Sequence, residues 1–150
     1  MIHAFRAVPA PVADGLLLLA RLLLAWIFLH EGFVLAANVD AAFTAMGKLG
    51  VPASLATATI LLQLGAGLAV ATGWQTRAAA LSLCLFCLAT AVLFHTNFAA
   101  RNEVLHFEKD LAIAGGLCAL MVVGAGRFSV DGLVRSLRTA AAETPPGGAS

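Results

Sequence analysis

Apolar residues fall into four blocks along the chain, at 15–37, 53–73, 78–95 and 107–126, with polar or turn-forming residues between them. Each block approaches the roughly 20 residues that a helix needs to cross about 30 Å of hydrocarbon. The pattern therefore predicts four membrane-spanning helices. The fourth is the shortest, because its uncharged core starts only at Leu111 and covers roughly 24 Å at 1.5 Å per residue. It crosses only if Lys109 extends outward or the bilayer thins locally. The connections at 38–52, 74–77 and 96–106 are short, which favours antiparallel neighbours. The predicted fold is an all-α membrane protein, with four transmembrane helices in an up-down antiparallel bundle.

Residues 1–14 precede this membrane domain of residues 15–133, and residues 134–150 follow it as an alanine-rich tail ending in Thr-Pro-Pro-Gly-Gly-Ala-Ser. That composition predicts a largely disordered tail. A cleavable signal peptide is the rival reading of the N-terminus, since Arg6 precedes a leucine run. Arg21 inside the run and His30-Glu31 before the small-residue site argue against it.

Composition agrees with lipid as the solvent. Hydrophobic residues make up 61% of the 150 positions and charged residues 11%, far below the soluble norm of about 25%. A net charge of +1 supplies no basic field for nucleic acid. The few cations do set an orientation. Arg6, Arg77, Arg127, Arg135 and Arg138 share the side of both termini, against Lys48, Arg101 and Lys109 on the other. The excess predicts cytoplasmic termini.

Small residues should bring the helices together, because lipid gives no hydrophobic drive between them. Gly65, Ala69 and Gly73 recur on one face of the second span, with Gly67 beside them, and Gly115, Gly116, Gly124 and Gly126 thin the fourth. Packing within the bundle is the simpler reading and self-association the alternative. Trp74, Phe94, Phe98, Phe107 and Phe128 sit at span ends, as an aromatic belt would.

Ionisable groups inside a span carry the functional signal, since a mid-bilayer charge costs at least about 2.5–3.5 kcal/mol. Arg21 lies roughly 9 Å into the first span, shallow enough to snorkel towards headgroups. Gln63 is the polar residue of the second span. His30 and Glu31 lie roughly 10 Å inside the other end of the first span, and glutamate is too short to reach out. At 100° per residue His30 is nearly opposite Arg21 and Glu31 about 80° from it, so the three share no narrow face. The side of His30 and Glu31 also receives the polar run from His95 to Asp110, with Arg101, Glu103, His106, Glu108 and Lys109. His30, Glu31, His95, Arg101, His106, Glu108, Lys109 and Asp110 are thus the candidate proton or quinol site, where burial shifts imidazole and carboxyl pKa values. A solvated loop, with Glu108 and Asp110 favouring the helix dipole, is the plainer alternative.

No metal is expected, because no spacing puts two ligands on one helix face. Cys84-x-x-Cys87 matches a thiol redox spacing but lacks the βαβ setting of a thioredoxin. Packing explains it better, although Cys118 lies at a depth from which it approaches either. Nucleotide, nucleophile-elbow and zinc-protease motifs are absent.

Across roughly residues 15–133 the chain resembles the DoxX family of small four-helix bacterial inner-membrane proteins. The resemblance rests on Arg21 and Trp26-Ile-Phe-Leu-His-Glu-Gly32, Gly50-Val-Pro52, Gln63-Leu-Gly-Ala-Gly67 and Gly73. It continues with Thr76-Arg77, His95, the run from Phe107 to Gly116, and Gly126-Arg-Phe-Ser-Val-Asp131. It implies a subunit of a membrane oxidoreductase system in the bacterial inner membrane. The expected ligand is a quinone with no haem or flavin motif, and the expected partner is another membrane or periplasmic redox protein or a second copy. A non-catalytic assembly or cargo-binding protein is the other reading. Leu35 and Gln63 stand where the family often has lysine and glutamate, which leaves Glu31, Lys109 and Asp110 as the matched ionisable residues.

Overall fold

The computed structural model describes residues 9–48 and 50–143, and all of their regular structure is helical. Six helices follow in order: α1 (Ala10–Ala37), α2 (Val39–Lys48), α3 (Ala53–Thr72), α4 (Thr76–Phe94), α5 (Arg101–Val123) and α6 (Val130–Glu143). Proline punctuates two starts, with Pro9 and Pro11 opening α1 and Pro52 preceding α3. There its missing N–H costs nothing. Gly73 ends α3 at φ 74°, a left-handed turn that glycine adopts without strain. The N–H groups of Gly73 and Trp74 return to the carbonyls of Val70 and Ala69.

Three helices, α1, α3 and α4, are long and apolar enough to cross a membrane. At 23 residues α5 has the length, but Arg101, Glu103, Glu108, Lys109 and Asp110 charge its first half. Helices α3 and α4 run close to the apolar blocks at 53–73 and 78–95, whereas α1 and α5 begin several residues ahead of the blocks at 15–37 and 107–126. Three segments differ. The first connection folds as α2, where Asp40 in the first turn and Lys48 in the last complement the helix dipole. The third connection ends early, because α5 begins at Arg101 and puts Glu103 and His106 on a helix. The tail expected to be disordered from residue 134 continues as α6 to Glu143, and residues 144–150 lie outside the described ones. Arginine and alanine, both good helix formers, override the low hydrophobicity there.

Neighbouring contacts run α1 to α3, α3 to α4 and α4 to α5, and α5 touches α1; α2 rests on α1 and α3. The core draws Ala25 and Phe28 from α1, Val70 from α3, Ala80, Leu83 and Cys87 from α4, and Ala114, Leu117 and Leu120 from α5. Small side chains allow this closeness. A Cβ on Gly67 would meet Leu29 at 3.2 Å, and one on Gly32 would meet Leu64 at 3.0 Å, so α1 and α3 press together at two glycines. Large apolar side chains such as Leu23, Leu61, Leu85 and Val122 stay exposed around the outside. In water such a surface would be a liability; against acyl chains it is the solvated face.

Candidate functional site

At one end of the helices, His95 closes α4, and its Nδ1 lies 2.9 Å from Glu103 Oε2 on α5. The His95 ring stacks on His106, with centroids 5.0 Å apart and planes 23° from parallel. Lys109 Nζ donates to His106 Nδ1 at 3.3 Å. Glu103, His106 and Lys109 recur every third residue of α5, a spacing that sets them along one face. One residue further, Asp110 is buried, and its Oδ2 accepts the hydroxyl of Thr90 on α4 at 2.9 Å. Arg101 and Glu108 are exposed.

The remaining two predicted residues stand apart. His30 Nδ1 and Glu31 Oε1 are 3.6 Å from each other, both half exposed, and His30 stacks on Trp26 at 6.0 Å. Among the described residues no hydrogen bond or ion pair joins them to His95, Glu103, His106, Lys109 or Asp110. Thus the eight candidates divide into a histidine-carboxylate cluster between α4 and α5, an exposed pair on α1, and two solvated charges. Among the described residues no three His, Cys, Asp or Glu side chains are arranged to hold a metal ion.

Beside the cluster a cleft of about 390 Å³ opens between α2, α3 and α4. Its walls are largely apolar, including Met46, Leu55, Phe86 and Leu93, and its polar lining is Thr59, Gln63, Thr90 and His95. Gln63 is 7% exposed, and its Oε1 has no hydrogen-bond partner. A buried carbonyl left unsatisfied costs about 1–3 kcal/mol, so this amide is set to receive a donor. Gln63 lies roughly 15 Å below the start of α3, so the cleft reaches mid-depth, while His95 marks the end of α4. Sequence reading singled out Gln63 and His95 but missed Thr90, whose hydroxyl gives no signal until Asp110 is seen opposite it.

The opposite end is a polar knot. Arg21 is 1% exposed, and its guanidinium donates to the carbonyls of Ala125 at 2.8 Å and Phe128 at 2.5 Å. It therefore turns inward instead of snorkelling, because the last carbonyls past α5 lack partners of their own. Asp14 Oδ1 accepts the N–H of Arg127 at 2.8 Å. Asp131 accepts the N–H groups of Gln75 and Thr76 at 2.9 and 3.0 Å, capping α4 from another helix. Its own N–H donates to the carbonyl of Gly73 at 2.9 Å. Burial pushes the Asp131 carboxyl up, but those two N–H groups and nearby Arg135 outweigh it and hold it below the usual carboxylate range. Arg21, Gly73, Thr76, Arg77, Gly126 and Asp131 are all residues of the resemblance, and all close this end.

The DoxX family model matches residues 16–96. The chain is 38% identical over 117 residues to the Escherichia coli (strain K12) protein named Inner membrane protein YqjF, spanning 78% of this chain and 90% of that one. Against Inner membrane protein YphA of the same strain, identity is 31% over 123 residues, 77% of this chain and 88% of the other. No solved structure matches the chain. With the family match running from α1 through His95, and relatives of nearly the same length, the chain belongs to the DoxX family.

Proposed function

We propose that the chain is a four-span protein of the bacterial inner membrane, with both termini cytoplasmic, that binds a quinol in the cleft between α2, α3 and α4. One observation carries the reading: a buried amide carbonyl without a partner, Gln63 Oε1, lies in an apolar cleft that also has His95 in its lining. A quinol hydroxyl supplies the missing donor, and the apolar walls take the ring and tail. Thr90 with Asp110, then His95 with Glu103, form polar steps along the cleft and towards the outer surface. Oxidation of the quinol releases two protons along these steps and passes two electrons to a redox partner protein, so the chain acts as a membrane oxidoreductase subunit. Glu31 takes no part in this path, because it pairs with His30 on α1 and does not line the cleft.

The fourth span is α5. Thr90 gives Asp110 a hydrogen bond within the bundle, Lys109 is exposed and long enough to extend outward, and Glu103 and His106, both partly buried, lie in the first two turns of the helix, where an interface would fall. Binding of a short-tailed ubiquinol analogue to purified protein tests the proposal. Wild type should saturate, and Gln63→Leu should bind about tenfold more weakly, the loss of one hydrogen bond of about 1.4 kcal/mol. Absence of saturable binding to wild type would sink it. A non-catalytic assembly role is favoured by one different feature, the exposed apolar residues Leu133, Val134 and Leu137 of α6. In that case a stoichiometric partner co-purifies from native membranes, and truncation before α6 releases it.

A further inference from the structure

The three cysteines lie on α4 and α5, and none lines the cleft. Spacing alone pairs Cys84 with Cys87, one turn apart on a single helix. The structure pairs Cys84 across the helix interface instead: its Sγ is 3.5 Å from Cys118 Sγ on α5. Cys84 Sγ also points at the carbonyl of Ala114, 3.7 Å away. The small side chains of Ala80 and Ala114 in the same core let α4 and α5 approach this closely. Two sulfurs in contact need close by only about 1.5 Å to reach the bonded distance of about 2.0 Å.

Exposure makes the pair asymmetric. Cys118 is exposed on the outer surface, Cys84 is buried behind it, and Cys87 is buried as well. We propose that Cys84 and Cys118 are a reversible thiol pair, oxidised by a hydroperoxide dissolved among the acyl chains to a disulfide that ties α4 to α5. Cys118 sulfur attacks the terminal oxygen of the hydroperoxide, the O–O bond breaks, and the leaving alkoxide takes the thiol proton to become an alcohol. Cys118 is now a sulfenic acid. Cys84 sulfur displaces its oxygen, which leaves as water with the Cys84 proton, and the S–S bond forms. Two thiols and one hydroperoxide thus give one disulfide, one alcohol and one water. Exchange with an external dithiol restores the thiols. The tie spans the same two helices that hold Thr90 to Asp110 and His95 to Glu103, so it fixes α5 against the helix that lines the cleft.

Thiol counting on the full-length protein in lipid nanodiscs tests this without reference to any quinol. Reduced protein is treated with cumene hydroperoxide, quenched in acid, unfolded in detergent and labelled with a maleimide mass tag. Wild type should fall from three tags to one and return to three after dithiothreitol. Cys87→Ser should fall from two tags to none and Cys118→Ser should keep both of its tags, whereas Cys84→Ser should lose only the Cys118 tag, as a sulfenic acid with no S–S bond. Loss of tags from Cys118→Ser would assign the disulfide to Cys84 and Cys87 and overturn the proposal. So would retention of all three tags by wild type, or a disulfide-linked dimer on a non-reducing gel. Peptide mapping of the oxidised wild type guards against variants that fail to fold, since it must recover Cys84 joined to Cys118.

Discussion

Arg21 carries a full charge at 1% exposure with its guanidinium on two backbone carbonyls, so its removal leaves the carbonyls of Ala125 and Phe128 without donors. Arg21→Met should destabilise the protein by about 3 kcal/mol in detergent unfolding, the order of two charged hydrogen bonds after partial relaxation. Arg21→Lys should recover part of that loss through one retained bond. Unchanged stability in both would return Arg21 to the headgroups. Depth in the first span was legible from the sequence, but the acceptors lie more than 100 positions away in the backbone, where no residue type announces them. Asp131 makes the same point with pH as the probe. Its folded-state pKa lies below the unfolded value, so its contribution is complete above the ordinary carboxylate range and vanishes as pH falls through the folded value. Unfolding stability measured from pH 6 down to about pH 3 should therefore drop more in wild type than in Asp131→Asn. At pH 6 the variant should be weaker by about 1 kcal/mol, as when a helix cap is lost.

Helix α3 shows what spacing reveals about an element and what it leaves open. The run of Gly65, Ala69 and Gly73 reads as one small face, yet nothing lies within 4 Å of a Cβ built on Gly65, while Gly67 abuts Leu29 and Phe28 of α1. A period locates a face without saying which neighbour presses on it. Three substitutions separate the roles by thermal unfolding. Gly65→Ala should stabilise by up to about 1 kcal/mol, because it gains helix propensity and meets no clash. Gly67→Ala should be near neutral or mildly destabilising, since the flexible tip of Leu29 gives way. Gly73→Ala should be the most damaging, with φ at 74° and its new methyl driven into Arg21 and Ser129. A strained left-handed residue alone costs about 1–3 kcal/mol. If Gly65→Ala instead dissociated a dimer, self-association through that face would replace the present account. The charged start of α5 was the harder element to read. Residues 101–106 look like loop by composition, but Glu103 and His106 on a helical turn both meet His95.

For the whole molecule, the polar knot separates two questions that a charge count merges. Asp131 bonds the link between α3 and α4 at Gln75 and Thr76, and its N–H reaches Gly73, so the start of α6 is fixed beside that link. If α5 crosses, a reporter at the C-terminus and one inserted after Trp74 should report the same side of the membrane, whichever side that is. A reporter at residues 96–100 should then report the other side, with α4 between it and Trp74. Agreement of the first two and opposition of the third therefore test whether α5 crosses at all. If α5 stayed on one side, the tail would share the compartment of residues 96–100. The absolute side is a separate matter, set by arginines near the knot against the lysines and Arg101 at the far end. Arg21 at the knot donates to the carbonyls of Ala125 and Phe128. A periplasmic phosphatase fusion should thus be active at residues 96–100 and inactive at the tail. Substituting Arg127, Arg135 and Arg138 together with alanine should weaken that bias before it disturbs the bundle, since their side chains are exposed and none joins the buried core.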